Sequence, residues 1–283
     1  MTRISAHCLV KNEARFIWYS ISSVVDYVDR LRIVDTGSTD DTVKIVNEFI
    51  KEYKGSTEII FDKKVFTGKF DEKKFRDEMF NKDNSSSTNV DWILIVDGDE
   101  IWWDESIEKV TTEIRNGNNQ IESVIVPVFN LVGDIYHYQE NAAGKYKFKG
   151  LPKGHYNLRA YNKNIPGLHS KGEYGVFGWF DEKNKMIQER DSSKVKFINA
   201  PYIHVTHLQR SSEILKDSEV IKRKQKFKYE IGKSFSKDFY FPEVFFKSKP
   251  SFVQDIWKTM NHAFKFRSYL ETPLRMLKRR FTI

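Results

Sequence analysis

Two acidic clusters carry the strongest chemical signal in this 283-residue chain, and each follows a short apolar run. In "DWILIVDGDE" the carboxylates of Asp97 and Asp99 flank Gly98, directly after five apolar residues. Hard oxygen donors at that spacing suit Mg2+ or Mn2+ with bound phosphates, because neighbouring carboxylates repel unless a cation neutralises them. In "RLRIVDTGSTDDT" Asp35 ends a second apolar run and Gly37 follows it. A carboxylate there can accept hydrogen bonds from a ribose hydroxyl or a base N–H, and Gly37 permits close approach of backbone to ligand. The competing reading makes Asp35 and Ser38 turn and cap residues only.

Asp35-Thr36-Gly37 is also the tripeptide that holds the catalytic carboxylate of aspartic proteases. That chemistry needs two carboxylates sharing one proton, and the chain has a single such tripeptide, followed by a helix start. The protease reading is set aside.

The elements that must position these groups alternate. "RISAHCLV", "RLRIVDT", "TEIIFD", "WILIVD" and "SVIVPVFNL" read as strands. "ARFIWYSISSVVDYV", the segment capped by Ser38 and Asp41, "DEKKFRDEMFN" and "DESIEKVTTEIRNG" read as helices. The alternation predicts an α/β layered fold with a mainly parallel sheet, in which ligands bind at the carboxyl ends of the strands. Both acidic clusters then face one crevice, with a nucleoside on one side and a metal-bridged diphosphate on the other.

Past about residue 132 the pattern loosens, and from Ser211 on it reads as helical, basic and aromatic. The expected organisation is a catalytic domain over 1–210, divided at 131/132 into nucleotide and acceptor halves, and a helical basic extension over 211–283. Residues 216–283 carry a charge of +10 and the rest −2, so the whole excess of +8 sits in that extension. One cysteine, Cys8, excludes an internal disulfide and makes a reducing, cytoplasmic setting the simpler expectation. The longest apolar runs are too short to cross a bilayer, which predicts a soluble or peripheral protein.

Taken together, "VKNEARF", "IVDTGSTDDT", "FDEKKFRDEMF" and "DWILIVDGDE" come in the order and spacing of the family 2 glycosyltransferases with the GT-A fold, and residues 4–105 resemble them closely. The resemblance implies an open mixed, mainly parallel sheet flanked by helices, with a Rossmann-like nucleotide-binding half. It also implies an inverting transferase using a nucleotide-sugar donor, a UDP-sugar or else a GDP-sugar, with Mn2+ or Mg2+. By the same resemblance Asn12 and Glu13 lie by the nucleotide, and Asp35, with Gly37 and Ser38, contacts base or ribose. Asp97, Gly98 and Asp99 bind the donor through the metal, and Arg76 faces the diphosphate, although Asp77 stands where Asn is usual. A late histidine often completes such metal sites, which selects His204, with His207 in reserve.

"YNLRAYNKNIPGLHSKGEYG" resembles the family's acceptor segment at Arg159, His169 and Glu173, with the usual His-Glu pair split by "SKG". Inverting transfer needs a carboxylate to take the acceptor's proton. Glu173, in a Gly-flanked turn, is the first candidate, ahead of Asp181 and Asp134. The Gln-x-x-Arg-Trp signature of processive synthases is absent, so single addition to a glycan or lipid-linked acceptor is expected.

In the extension, Lys and Arg interleave with Trp, Phe and Leu. That pattern fits an interfacial helix on an anionic membrane, or a face packed on the catalytic domain or a second subunit. A nucleic-acid role lacks any supporting motif and leaves the acidic clusters unexplained. A sugar-phosphate nucleotidyltransferase would carry a Gly-rich loop after the first strand, where "VKNEARF" has no glycine.

Overall fold

A computed structural model describes residues 2–64, 70–84, 89–117, 120–144, 146–148, 150–173 and 177–281. In chain order the nucleotide half comprises β1 (Ile4–Val10), α1 (Ile17–Ser22), β2 (Arg30–Asp35), α2 (Thr42–Glu52), β3 (Glu58–Lys63), α3 (Glu72–Asp83), β4 (Trp92–Ile95), β5 (Glu100–Trp102), α4 (Asp104–Asn116) and β6 (Ser123–Val132). The rest adds β7 (Asp134–Tyr138), β8 (Tyr156–Asn162), β9 (His169–Lys171), β10 (Gly178–Phe180), β11 (Val195–Phe197), β12 (Tyr202–His204), α5 (Ile214–Ser218), α6 (Arg223–Lys226), β13 (Lys233–Ser234) and α7 (His262–Phe281).

The main sheet runs β13-β7-β6-β8-β4-β1-β2-β3. β4, β1, β2 and β3 are mutually parallel, and β8 enters antiparallel between β4 and β6. The register pairs Val10 with Asp35 and His7 with Ile95, so β1, β2 and β4 end together. The predicted mixed α/β sheet with flanking helices is the fold observed, parallel through β4-β1-β2-β3 and antiparallel along β13-β7-β6-β8-β4.

Continuous apolar runs become central strands because both sheet faces are covered. Ile4, Ala6, Cys8, Leu31, Ile33, Leu94 and Val96 are all buried in one core. α4 turns Ile107, Val110 and Ile114 inward at helical spacing, with Asp104 and Glu105 in its first turn, where the helix dipole favours acids. α3 is capped by Asp71, whose carboxylate accepts the Lys74 N–H at 3.1 Å.

Three expectations are corrected. α2 starts at Thr42 rather than at Ser38, because Ser38 is held by Asp35 and by the Asn12 N–H, and Asp40 accepts the Thr42 N–H at 3.0 Å. The first helix stops at Ser22, where Ser23 Oγ bonds the Ser20 carbonyl and a short 3-10 turn follows. The extension is not helical throughout. Between Phe227 and Met260 it is mostly irregular, since its aromatic residues serve the core rather than a helix face. Phe241, Val244, Phe245, Val253 and Ile256 belong to the same core as β1 and β2, so residue 211 marks a change of pattern and not a break in packing.

Candidate active site

The carboxyl ends of β1, β2 and β4 open into a cavity of 590 Å³. Its lining includes Glu13, Thr36, Arg76, Asp97, Asp99, Arg159, His204, Arg210 and Arg223. Both acids and cations line it.

Gly98 has to be glycine. A β-carbon there would meet Val10 Cγ1 at 2.8 Å and Glu13 Cγ at 3.0 Å, so the loop after β4 can lie against the end of β1 only without a side chain. Gly98 thereby brings Asp97 and Asp99 to the crevice from a tight turn.

The two carboxylates have different partners. Asp97 accepts from Arg76 Nη2 at 2.7 Å, and Arg76 also pairs with Glu72 at 3.2 Å. Asp99 Oδ2 lies 3.2 Å from His204 Nε2 and accepts a hydrogen bond from Arg210. Burial opposes ionisation of both acids, yet Arg76 lowers the Asp97 carboxyl below its ordinary range, and Arg210 with His204 holds Asp99 well below it. Their neighbours behave oppositely. Burial pushes Glu13 up to about 7 against Arg210 and Arg223, and pushes Glu100 up to about 8 against Arg159. Glu13 Oε2 is buried with no hydrogen-bond partner among the described residues.

His204 reaches Asp99 because β12 lies between β5 and β6, pairing His204 with Glu100 on one side and with Asn130 on the other. A chain of hydrogen bonds then fixes its orientation. His155 is buried, which lowers its pKa, and its Nε2 donates to the Glu140 carbonyl at 3.1 Å. His155 Nδ1 therefore accepts from Asn130 Nδ2 at 2.9 Å, and Asn130 Oδ1 faces His204 Nδ1 at 3.0 Å. His204 Nδ1 donates there, which leaves Nε2 as the ring nitrogen facing the Asp99 carboxylate. Without a proton on it, Nε2 would offer a nitrogen ligand beside a carboxylate oxygen, a pair that suits a divalent cation. Among the described residues no three His, Cys, Asp or Glu side chains converge as a complete metal cage. A two-ligand site leaves room for phosphate oxygens and water, as Mg2+ and Mn2+ sites of this type require.

The profile of glycosyl transferase family 2 matches residues 5–182. The chain belongs to that family. An uncharacterized glycosyltransferase of Rickettsia felis is 36% identical over 100 residues, which cover 35% of this chain and 30% of that protein. Two solved structures of low identity are also similar. Glucosyl-3-phosphoglycerate synthase from Mycobacterium tuberculosis, in complex with Mg2+ and UDP, is 17% identical with a TM-score of 0.42 over 72% of this chain and 71% of that one. S. aureus TarS 1-349 is 13% identical with a TM-score of 0.41 over 72% and 61%.

Within this family 2 chain the lining of the crevice includes Glu13, Arg76, Asp97, Asp99 and His204 but not Asn12 or Asp35, and Arg76 is buried there rather than solvated on its helix. Asn12, at a φ of 53°, ties the loops together: its N–H meets Ser38 Oγ at 2.8 Å and its Oδ1 accepts the Thr39 N–H at 2.8 Å. Asp35 is buried, and its carboxylate takes the Gly37 and Ser38 N–H groups, each at 3.1 Å. Its visible work is to hold the turn at Gly37, whose φ of 86° favours glycine.

His207 does not join His204. Its Nδ1 donates to the Lys226 carbonyl at 2.6 Å, and burial pushes its pKa down to about 2. Asp181 bonds the Lys183 and Lys185 N–H groups, each at 2.9 Å, and Arg190 at 2.5 Å. Asp134 accepts from His137 at 2.6 Å and from the Met260 N–H at 2.9 Å. Neither acid is among the residues lining the crevice. Glu173 is exposed in the connection between β9 and β10, and the returning side of that hairpin, Phe177 to Trp179, does line it. Arg159, on β8, bonds Glu100 and donates to Tyr202 Oη at 2.8 Å.

Sequence reasoning missed Arg210, Arg223, Asn130 and His155. Arg223 bonds the Glu13 carboxylate and donates to the Lys11 carbonyl at 2.8 Å, across more than 200 residues of chain. The basic excess after residue 216 was its one advance sign.

Proposed function

We propose that the crevice binds a nucleoside-diphosphate sugar, a UDP-sugar by preference, and transfers the sugar with inversion to a single glycan hydroxyl, free or lipid-linked. The observation that carries this reading is the convergence of Asp99 with His204 Nε2 at the mouth of the parallel part of the sheet, beside cations suited to a diphosphate. Mn2+ or Mg2+ bound there would neutralise charge on the departing diphosphate.

Asp99 and His204 would hold that ion, with Asp97 held in place by Arg76. Asn12, Glu13 and the Asp35–Ser38 turn would bound the nucleoside side. Arg210 and Arg223, now occupied with Glu13 and Asp99, are placed to exchange an acid for a phosphate, a bond they make equally well. Glu173 would take the acceptor proton, supported by its place on a hairpin that borders the crevice. The nucleotidyltransferase reading lacks any comparable observation.

The test is a melting-temperature panel of UDP, GDP and CMP with and without Mn2+. A ligand bound only by the native state raises stability, by about 2.7 kcal/mol at a hundredfold excess over Kd. Metal-dependent stabilisation by one diphosphate supports the reading and names the base; no response to any of them refutes it.

The relay behind His204 gives a second prediction. Asn130→Ala removes the acceptor that fixes the ring, so the Mn2+ concentration for half-maximal stabilisation with UDP should rise about 10–100-fold. An unchanged metal titration would show that Asn130 does not orient His204.

A further inference from the structure

The last helix is amphipathic in the wrong sense for a helix that merely packs on its own domain. α7 turns its polar side inward: Ser268 is buried, Thr272 Oγ1 accepts the Ile231 N–H at 3.1 Å, and Arg279 pairs with Glu230 at 2.7 Å and Glu140 at 3.2 Å. Phe264 is the buried apolar anchor at its start. On the opposite side Phe266, Tyr269, Leu270, Leu274 and Leu277 are 53–69% exposed. Spacings of three and four residues put these five on one stripe along a 20-residue helix.

A helix held by ion pairs and hydrogen bonds on its inner side, with its large apolar groups outside, has surface left to bury. Charge says against what. Lys265 lies on one flank of the stripe and Lys278 on the other, about 100–120° from its centre at the pitch of an α-helix, while Arg267 pairs with Glu271 at 2.7 Å and lies over the Tyr229 ring at 3.7 Å. Residues 216–283 as a whole carry +10. Basic flanks around an apolar stripe match a surface that is anionic outside and hydrocarbon within. No described helix is long and apolar enough to cross a membrane, so the contact is with the surface.

We infer that α7 lies flat on an anionic lipid membrane, with Phe266, Tyr269, Leu270, Leu274 and Leu277 below the headgroups and Lys265 and Lys278 among the phosphates. Long basic side chains reach back to the headgroup level while their stems stay in apolar surroundings. The placement does not depend on what the crevice binds.

The experiment is sedimentation of the full chain with vesicles of phosphatidylcholine alone or with roughly one third phosphatidylglycerol, in the absence of nucleotide and metal. Binding is expected with phosphatidylglycerol only, and should weaken as salt rises from about 0.1 M to about 1 M. Leu270→Glu with Leu274→Glu should reduce binding at least about tenfold. Because both positions face outward, the melting temperature and the response to UDP with Mn2+ should match those of the parent chain. No vesicle binding, or binding that the double variant leaves unchanged, overturns the inference. So does light scattering that shows a dimer in the parent chain and a monomer in the variant, which would give the stripe to a second copy.

Discussion

Asp99→Asn should reduce sugar transfer by at least about a thousandfold, roughly 4 kcal/mol of transition-state stabilisation, while the fold survives. The argument rests on what each partner does when the charge goes. Asp99 is buried, and its Oδ2 lies 3.2 Å from His204 Nε2, so the amide removes the anionic oxygen beside that nitrogen. A divalent ion would keep one nitrogen ligand and lose the carboxylate that makes the site selective for hard cations. Losing a buried acid usually strands its cation. Here Arg210 Nη1 also stands 3.4 Å from Glu13 Oε1, so the guanidinium retains a carboxylate. Folding should therefore tolerate Asp99→Asn better than a buried charge normally allows. Initial rates under saturating donor, with melting curves as a control, check this. Near-parental turnover by a folded variant would remove Asp99 from the chemistry.

How much of this was readable in advance depends on the range over which each feature is specified. β1, β2, β4 and the turn after β4 are set by local apolar runs and one glycine, and Asp97 and Asp99, which follow "WILIV", line one cavity. His204 was selected through resemblance. Its neighbours Asn130 and His155 were not, because their meeting follows from β12 inserting between β5 and β6, which no periodicity within β12 encodes. Arg223 shows the limit most plainly. It lies on α6, a four-residue helix, and its bond to Glu13 is a tertiary fact 210 residues long. In the extension, helical spacing misled because an aromatic pair such as Phe235 and Phe239 satisfies that spacing and a stacked cluster equally. Phe235 and Phe239 stack at 3.8 Å between ring centroids, outside any helix.

Asp83→Ala should cost about 3–5 kcal/mol of folding stability, the cost of breaking a buried ion pair by removing one partner. Asp83 is fully buried at the end of α3, and four side chains from two strands converge on it. Oδ2 accepts from Ser5 Oγ at 2.5 Å and from His7 Nε2 at 2.9 Å; Oδ1 accepts from Arg30 Nη1 at 2.8 Å and Arg32 Nη2 at 2.7 Å. Alanine would leave two guanidinium groups without this shared acceptor. Arg30 keeps Glu58 at 2.8 Å, whereas Arg32 falls back on Asp62 at 3.9 Å. Burial opposes the charge on Asp83, but His7, Arg32 and Ser5 outweigh it and hold the carboxyl far below its ordinary 3.8. A depressed folded-state pKa contributes stability in full above the unfolded value and loses it as pH falls toward the folded one. The gap between parent and variant should therefore be widest near neutrality and narrow below about pH 4. Urea unfolding at pH 7 and at lower pH measures both; a difference under about 1 kcal/mol at pH 7 would mean that water replaces the carboxylate without loss. Position separates this effect from catalysis. Ser5, His7, Arg30 and Arg32 lie toward the starts of β1 and β2, and the crevice lies at their ends, so turnover per folded molecule should stay at the parental level. If it fell instead, α3 would be the link, since the same helix carries Arg76 to Asp97.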